Sequence, residues 1–248
     1  MPIQKFKLRP LIQQGFTQHK ELNPQLFDEN KQLRPIVREK LLEIADDFIG
    51  SLGVDHIDFD DIVITGSLAN YNWNPYSDID LHVIYDFKEI DSDQDLVYEF
   101  FQAKKGVWNE SHDVTIYGYD VEIYGQDTAE QHLSTGIYSL VKNEWLVEPK
   151  PEPYIVDQDS LIRKTKYFIH LINDVLSRDE EDETTIRLLK KIKEKIKRYR
   201  QSGLEDDGEY SEENLVFKLL RRTGYLDKLS QTKHKIEDKM MSLPENAK

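Results

Sequence analysis

The chain has 248 residues, enough for one large domain or two small ones, and its 10% aromatic content is higher than a disordered chain would carry. A net charge of −14 does not favour binding of nucleic acid by the overall field, because phosphate contacts need clustered lysine and arginine. Cysteine is absent, which excludes disulfides and thiolate chemistry. Without a signal peptide or a long apolar run, we expect a cytoplasmic protein with no membrane partner.

The first part of the chain is expected to contain an arm, a helix and two strands. Residues 1–34 show no sustained period, so they are predicted to form an N-terminal arm that is extended or loosely docked. An apolar stripe that starts at Pro35 predicts a helix. The β-branched run at 62–65 predicts a buried strand, and a second strand is expected over 79–87.

The next segment predicts one helix and four short strands. Ser92 and the acids after it resemble a helix N-cap, and the apolar stripe that follows ends near Gly106. The strands at 114–117 and 121–124 flank Gly118 and are expected to form an antiparallel hairpin, and a further strand pair is expected around 137–141 and 145–147.

A proline-rich linker is predicted at residues 149–153, where three prolines in five residues cannot continue a helix or a central strand. Residues 35–148 before it are expected to form a mixed-sheet domain, and residues 154–248 an all-helical domain. Apolar stripes over 161–175 and 186–199, and a third helix capped by Ser211, support the second domain. The predicted fold class is therefore α+β.

The candidate chemistry lies where the first strand ends and the second begins. Gly66 would let a phosphate approach the backbone, and Ser67 offers a hydroxyl at the start of a helical turn. Asp78 and Asp80 are two residues apart on a strand, so their carboxylates would point to the same face. Two carboxylates on one face can share hard divalent ions such as Mg²⁺, which prefer oxygen ligands completed by substrate phosphates. Two such ions support an in-line displacement at phosphorus.

A third carboxylate normally completes such a site, and Glu122 is the first candidate. Its neighbours Val121 and Ile123 are expected to point into the core while Glu122 points the other way. Asp120 lies on the same predicted face and is the reserve candidate, and Asp113 is a weaker one.

This arrangement resembles the DNA polymerase β-like nucleotidyltransferase superfamily, and its motif sequences are most similar to those of the minimal-type members. The likeness rests on Gly66-Ser67, on Asp78-Ile79-Asp80-Leu81 and on Val121-Glu122-Ile123. It implies that residues 35–148 are a nucleotidyltransferase domain. The whole chain also resembles nucleotidyltransferases encoded by large phages.

The resemblance also implies a reaction and its cofactors. An NMP would pass from an NTP, expected to be ATP, to a hydroxyl acceptor with release of pyrophosphate, in the presence of Mg²⁺ or Mn²⁺. Asp78, Asp80 and Glu122 would bind the metal, and Gly66 and Ser67 the triphosphate. RNA, a small molecule and a protein all remain open as the acceptor.

Two other functions remain open at this stage. The fold could serve as a catalytically silent binding or regulatory module, or Arg163 and His170 could form an RNase site on the C-terminal helices. The basic run 187–200 is typical of the C-terminal part of a helix, where positive side chains interact favourably with the helix dipole. The alternative is that this run forms a surface that binds nucleic acid. In the spacer before Asp78, Tyr71 and Trp73 are expected either to stack on a base or to pack against the turn.

Overall fold

The computed structural model describes residues 7–16, 18–54, 57–130, 134–151, 156–178 and 181–243. The chain divides into two compact units. Residues 17–153 form the sheet unit, and residues 1–16 together with 154–248 form the helical unit. The predicted linker at 149–153 lies partly outside the described residues, and the predicted domain boundaries stay predictions.

The N-terminal segment differs from the extended or loosely docked arm expected over residues 1–34. Helix α1 spans Leu8–Gly15, and its Ile12 is buried in the core of the helical unit. Further along, Leu26 and Phe27 are buried in the core of the sheet unit. The sequence pattern missed this helix because eight residues place too few apolar positions on one face to establish a period.

In the described part of the sheet unit the α-helices are α2 (Pro35–Ser51), α3 (Phe87–Ile90) and α4 (Gln94–Ser111). The N-cap of α4 is Asp93, whose carboxylate accepts the N–H of Leu96 at 3.1 Å. The prediction that this helix ends near Gly106 was wrong. Beyond that glycine, Trp108 is buried in the core and its indole N–H donates to Asp47 at 2.9 Å, so core packing carries the helix one more turn.

The strands are β1 (Asp61–Thr65), β2 (Ile79–Tyr85), β3 (Thr115–Ile116), β4 (Tyr119–Asp127), β5 (Ile137–Ser139) and β6 (Glu144–Val147). They form one sheet in the order β3-β4-β2-β1-β5-β6. Strands β2 and β4 are parallel, whereas the pairs β1–β2, β1–β5, β3–β4 and β5–β6 are antiparallel. The sheet is therefore mixed, which confirms the predicted α+β class.

Strand β1 is buried along its whole length, as expected for the β-branched run. The predicted hairpin after α4 is present as β3 and β4, with Tyr117 and Gly118 in the left-handed region at φ 53° and 83°. Strand β4 continues to Asp127 because its main partner is β2, which pairs with it in parallel from Ile79 to Tyr85. The hairpin with β3 therefore involves only the first residues of β4, and the rest of β4 pairs with β2.

Among its described residues the helical unit contains α1 and the longer helices α5 (Gln158–Leu176), α6 (Glu183–Asp206), α7 (Glu212–Arg222) and α8 (Tyr225–Met241). The predicted cap at Ser211 is confirmed, because its side chain accepts the N–H of Asn214. No specific prediction covered helix α8. It begins after Gly224, which adopts φ +71°. None of the helices in the described ranges is both long and apolar enough to cross a membrane.

Candidate active site

A tight bend at Gly66 joins β1 to a single 3-10 turn over Ser67–Ala69. Gly66 adopts φ +74° and ψ −162°, a conformation that is essentially restricted to glycine. A Cβ atom at this position would lie 1.9 Å from Oδ2 of Asp80. The Asp80 carboxylate therefore lies directly against the backbone of the bend, in the space that any other side chain would occupy.

Two acids lie side by side on neighbouring strands, and we call Asp80 and Glu122 the acidic row. Asp80 on β2 is the register partner of Glu122 on β4 and of Thr65 on β1. Both acids are half-buried, whereas the residues on either side of each in its strand are buried. Because adjacent strands are about 4.8 Å apart, the two side chains share one face of the sheet at close range.

Asp78 precedes β2 by one residue and is half-buried. Its neighbour Ser77 connects this segment to the bend, since the Ser77 and Ser67 hydroxyl oxygens are 2.7 Å apart. The Ser77 hydroxyl also accepts the N–H of Asn74 at 3.0 Å. The start of the carboxylate strand and the Gly66-Ser67 turn are thus held together by hydrogen bonds.

A third connection to the bend comes from Ser134, which the sequence did not single out. The N–H of Gly66 donates to Ser134 Oγ at 3.3 Å, and the Ser134 hydroxyl donates to the carbonyl of Gly136 at 2.9 Å. Gly136 packs so closely on Ala69 that an added Cβ would lie 2.0 Å from the Ala69 carbonyl oxygen. This close contact explains why a glycine precedes β5. No local sequence pattern indicates that Gly136 would pack against Ala69.

Two aromatic side chains lie one pair further along the same strands and form what we call the aromatic row, His82 and Tyr124. They are register partners, and their rings stack with centroids 4.7 Å apart. His82 Nε2 is 3.2 Å from the hydroxyl oxygen of Thr65, and the Tyr124 hydroxyl donates to the carboxylate of Glu122. The aromatic row therefore orients the Glu122 end of the acidic row.

Lys105 on α4 reaches this face, and sequence analysis missed it. Its Nζ lies 3.8 Å from the centroid of the Tyr124 ring. Burial lowers the pKa of the Lys105 ammonium, while the negative charges of Glu122 and Asp80 act in the opposite direction. The side chain reaches this place because Asn109, one turn later, binds the edge of β4 through the backbone of Ile123 at 3.0 and 3.1 Å.

The alternative third carboxylates occupy different positions. Asp120 is exposed and pairs in register with Thr115 of β3, at the hairpin. Asp113 is exposed and precedes β3. Glu122 is the candidate that stands next to Asp80.

The donor set suits a divalent ion that arrives together with phosphate. Across the described ranges, no group of three or more histidine, cysteine or acidic side chains is arranged to hold a metal ion by itself. Mg²⁺, however, is usually bound by one or two carboxylates, with substrate phosphates and water completing its shell. The acidic row beside the Gly66 bend supplies hard oxygen donors of that kind.

The other candidates from the sequence have contacts of their own. Tyr71 is buried in the core, and the Trp73 ring is stacked on His19 with centroids 3.7 Å apart. On α5, His170 is exposed and its Nε2 is 3.7 Å from Asp174, while Arg163 is also exposed. Tyr71 therefore packs into the core, and His19 covers one face of the Trp73 ring.

Comparison with known proteins matches residues 54–207, more than half of the chain, to the nucleotidyltransferase domain. One similar solved structure is described as a STING-associated CdnE c-di-GMP synthase from Capnocytophaga granulosa. The two sequences are 16% identical, 84% of this chain and 83% of that chain are covered, and the TM-score is 0.21. That score is too low to support an argument about this chain. No curated protein sequence matches it.

Proposed function

This chain belongs to the nucleotidyltransferase domain family, and from that premise we propose that it transfers an NMP from an NTP to a hydroxyl acceptor, releasing pyrophosphate. The observation that carries the proposal is the contact between the Asp80 carboxylate and the Gly66 bend, with Glu122 beside it. A phosphate cradled by the bend would lie next to acidic oxygens. Without an intervening cation the two would repel each other, so the arrangement favours metal-dependent transfer.

Asp78, Asp80 and Glu122 are the residues that we propose to hold Mg²⁺ or Mn²⁺. When bound, such ions neutralise the charge that develops on the transferring phosphoryl group and on the leaving pyrophosphate. Asp80 holds its carboxylate against the bend, and Glu122 is oriented by the hydroxyl of Tyr124. The remaining oxygen of Glu122 would orient the acceptor hydroxyl or take its proton.

The hydrogen bonds around Ser67 suit it to bind phosphate. Because Ser77 Oγ already accepts the N–H of Asn74, its own proton can be donated to Ser67 Oγ. In that arrangement Ser67 keeps its hydroxyl proton for a phosphate oxygen. We propose that Ser67 contacts the triphosphate in this way, while Gly66 allows it to approach the backbone.

The proposal is tested by thermal unfolding of the protein with each NTP, with and without Mg²⁺ or Mn²⁺. Metal and the preferred NTP together should raise the midpoint, because a ligand at about 100 times its Kd adds about 2.7 kcal/mol of stability. Asp80→Asn should remove this stabilisation, and Asp120→Asn, a matched loss of charge at the exposed hairpin, should keep it. Equal stabilisation of wild type and Asp80→Asn would contradict the site.

Catalysis is tested separately by pyrophosphate release with ATP and the other NTPs across RNA ends, small hydroxyl compounds and protein acceptors. Release that depends on metal and is lost in Asp78→Ala/Asp80→Ala would support transfer and identify the acceptor class. Metal-dependent NTP binding without release with any of these acceptors would instead favour the silent binding module.

A further inference from the structure

Lys105 brings a positive charge to the acidic row from outside the sheet. Its ammonium lies 3.8 Å from the centre of the Tyr124 ring, and the hydroxyl of the same tyrosine donates a hydrogen bond to the Glu122 carboxylate. Glu122 and Asp80 both act electrostatically on Lys105. A cation, an aromatic ring and two carboxylates are therefore linked on one face of the sheet.

We propose that Lys105 is a positioning residue that serves as an internal counter-ion of Asp80 and Glu122, so that a divalent cation binds well only when a triphosphate arrives with it. This inference rests on the proposed function, because it assumes that the acidic row is the metal site. It adds a reason why metal and nucleotide would bind as a pair.

The first step of the argument is the charge balance without substrate. Two carboxylates on adjacent strands repel each other, and a half-buried site screens that repulsion less than water does. The Lys105 ammonium offsets part of this charge. The Tyr124 ring holds the ammonium in place through a cation–π contact, which is strongest where water is partly excluded.

The second step is the effect on an incoming metal ion. A divalent ion bound to Asp80 and Glu122 is repelled by the nearby ammonium, so the ion alone binds weakly. A triphosphate brings negative charge that both cations can neutralise, and the repulsion is then offset.

Two variants separate the charge of Lys105 from its packing. Lys105→Met keeps most of the side-chain stem and removes the charge, whereas Lys105→Arg keeps the charge. Lys104→Met is the matched control, because Lys104 is the adjacent residue on α4 but donates to the carbonyl of Ser51 at 3.0 Å. It also lies 5.6 Å from the centroid of the Phe100 ring rather than beside Tyr124.

The experiment is a calorimetric titration with Mn²⁺, first without nucleotide and then with a non-hydrolysable ATP analogue. Lys105→Met should bind Mn²⁺ alone about three- to tenfold more tightly than wild type, the effect of removing one like charge several ångströms away in a partly solvated site. The analogue should strengthen Mn²⁺ binding less in this variant than in wild type. Lys105→Arg and Lys104→Met should behave as wild type.

The outcomes distinguish this inference from the proposed function. If wild type binds Mn²⁺ with the analogue and Asp80→Asn does not, but Lys105→Met has unchanged or weaker affinity for Mn²⁺ alone, only the counter-ion role is overturned. If wild type binds no Mn²⁺ even with the NTP analogues, the metal site and this inference both fail. Should Lys105→Met unfold readily in EDTA, Mn²⁺ should raise its unfolding midpoint more than that of wild type. A smaller or equal rise would overturn the counter-ion role.

Discussion

Replacing Gly66 with alanine is a direct perturbation of the candidate site, because the added methyl group has a defined collision. Its Cβ would lie 1.9 Å from Asp80 Oδ2 and 3.0 Å from Asp80 Cγ, so the carboxylate would have to withdraw by about 1 Å or more. A displacement of about 1 Å in a reacting group can cost about 100-fold in rate. Gly66→Ala should therefore lower metal-dependent pyrophosphate release by about two orders of magnitude.

The same substitution carries a backbone cost that can be measured separately. Alanine rarely adopts φ +74° with ψ −162°, and such strain costs about 1–3 kcal/mol of unfolding free energy. The assays are initial rates of pyrophosphate release and urea denaturation. Gly50→Ala in α2 is the matched control, because nothing lies within 4 Å of the added Cβ, and it should stabilise the helix by about 0.5–1 kcal/mol with unchanged activity. A Gly66→Ala protein with at least half of the wild-type rate would refute the reasoning.

Three further predictions concern packing, the sheet edge and pH. Gly125→Ala should destabilise the protein by about 1–3 kcal/mol in denaturant titrations, because its Cβ would lie 2.2 Å from the ring of Phe101; no loss of stability would contradict this. Asn109→Ala should lower the free energy of unfolding by about 1–3 kcal/mol, because it breaks both hydrogen bonds to the backbone of Ile123. Hydrogen exchange at the Ile123 amide should accelerate. Asp182→Ala should destabilise α6 at neutral pH but not in acid. The backbone N–H that its carboxylate accepts lowers the pKa of Asp182 in the folded state. Its contribution is therefore present above the unfolded pKa of about 3.9 and is lost as the pH falls through the folded value. Denaturation of wild type and variant at neutral and acid pH checks this, and an equal difference at both would contradict it.

Much of the site could be proposed from short-range patterns. Gly66, Ser67 and the strand that starts after Asp78 lie close together in sequence, where the strand period of two residues sets which side chains share a face. The same alternation pointed Glu122 away from the core, and the structure places it beside Asp80. The roles of these residues in binding and catalysis stay predictions.

The rest depended on distant pairs. No local pattern indicates that Lys105 would lie over Tyr124, since that contact requires α4 to cross the edge of β4. Likewise, Ser134 is far in sequence from the Gly66 amide that it accepts. The end of α4 was misjudged near Gly106 for a related reason, because the packing of Trp108 outweighs the low helix propensity of one glycine.

By itself, the amino-acid sequence determined the α+β class, the glycine bend and the placing of Asp80 and Glu122 opposite buried neighbours on their strands, because these follow from backbone sterics and side-chain periods over a few residues. Only the tertiary structure decided which acid stands next to Asp80 and that Lys105 lies over Tyr124. The register between β2 and β4 and the docking of α4 at the sheet edge are set by packing between segments far apart in the chain.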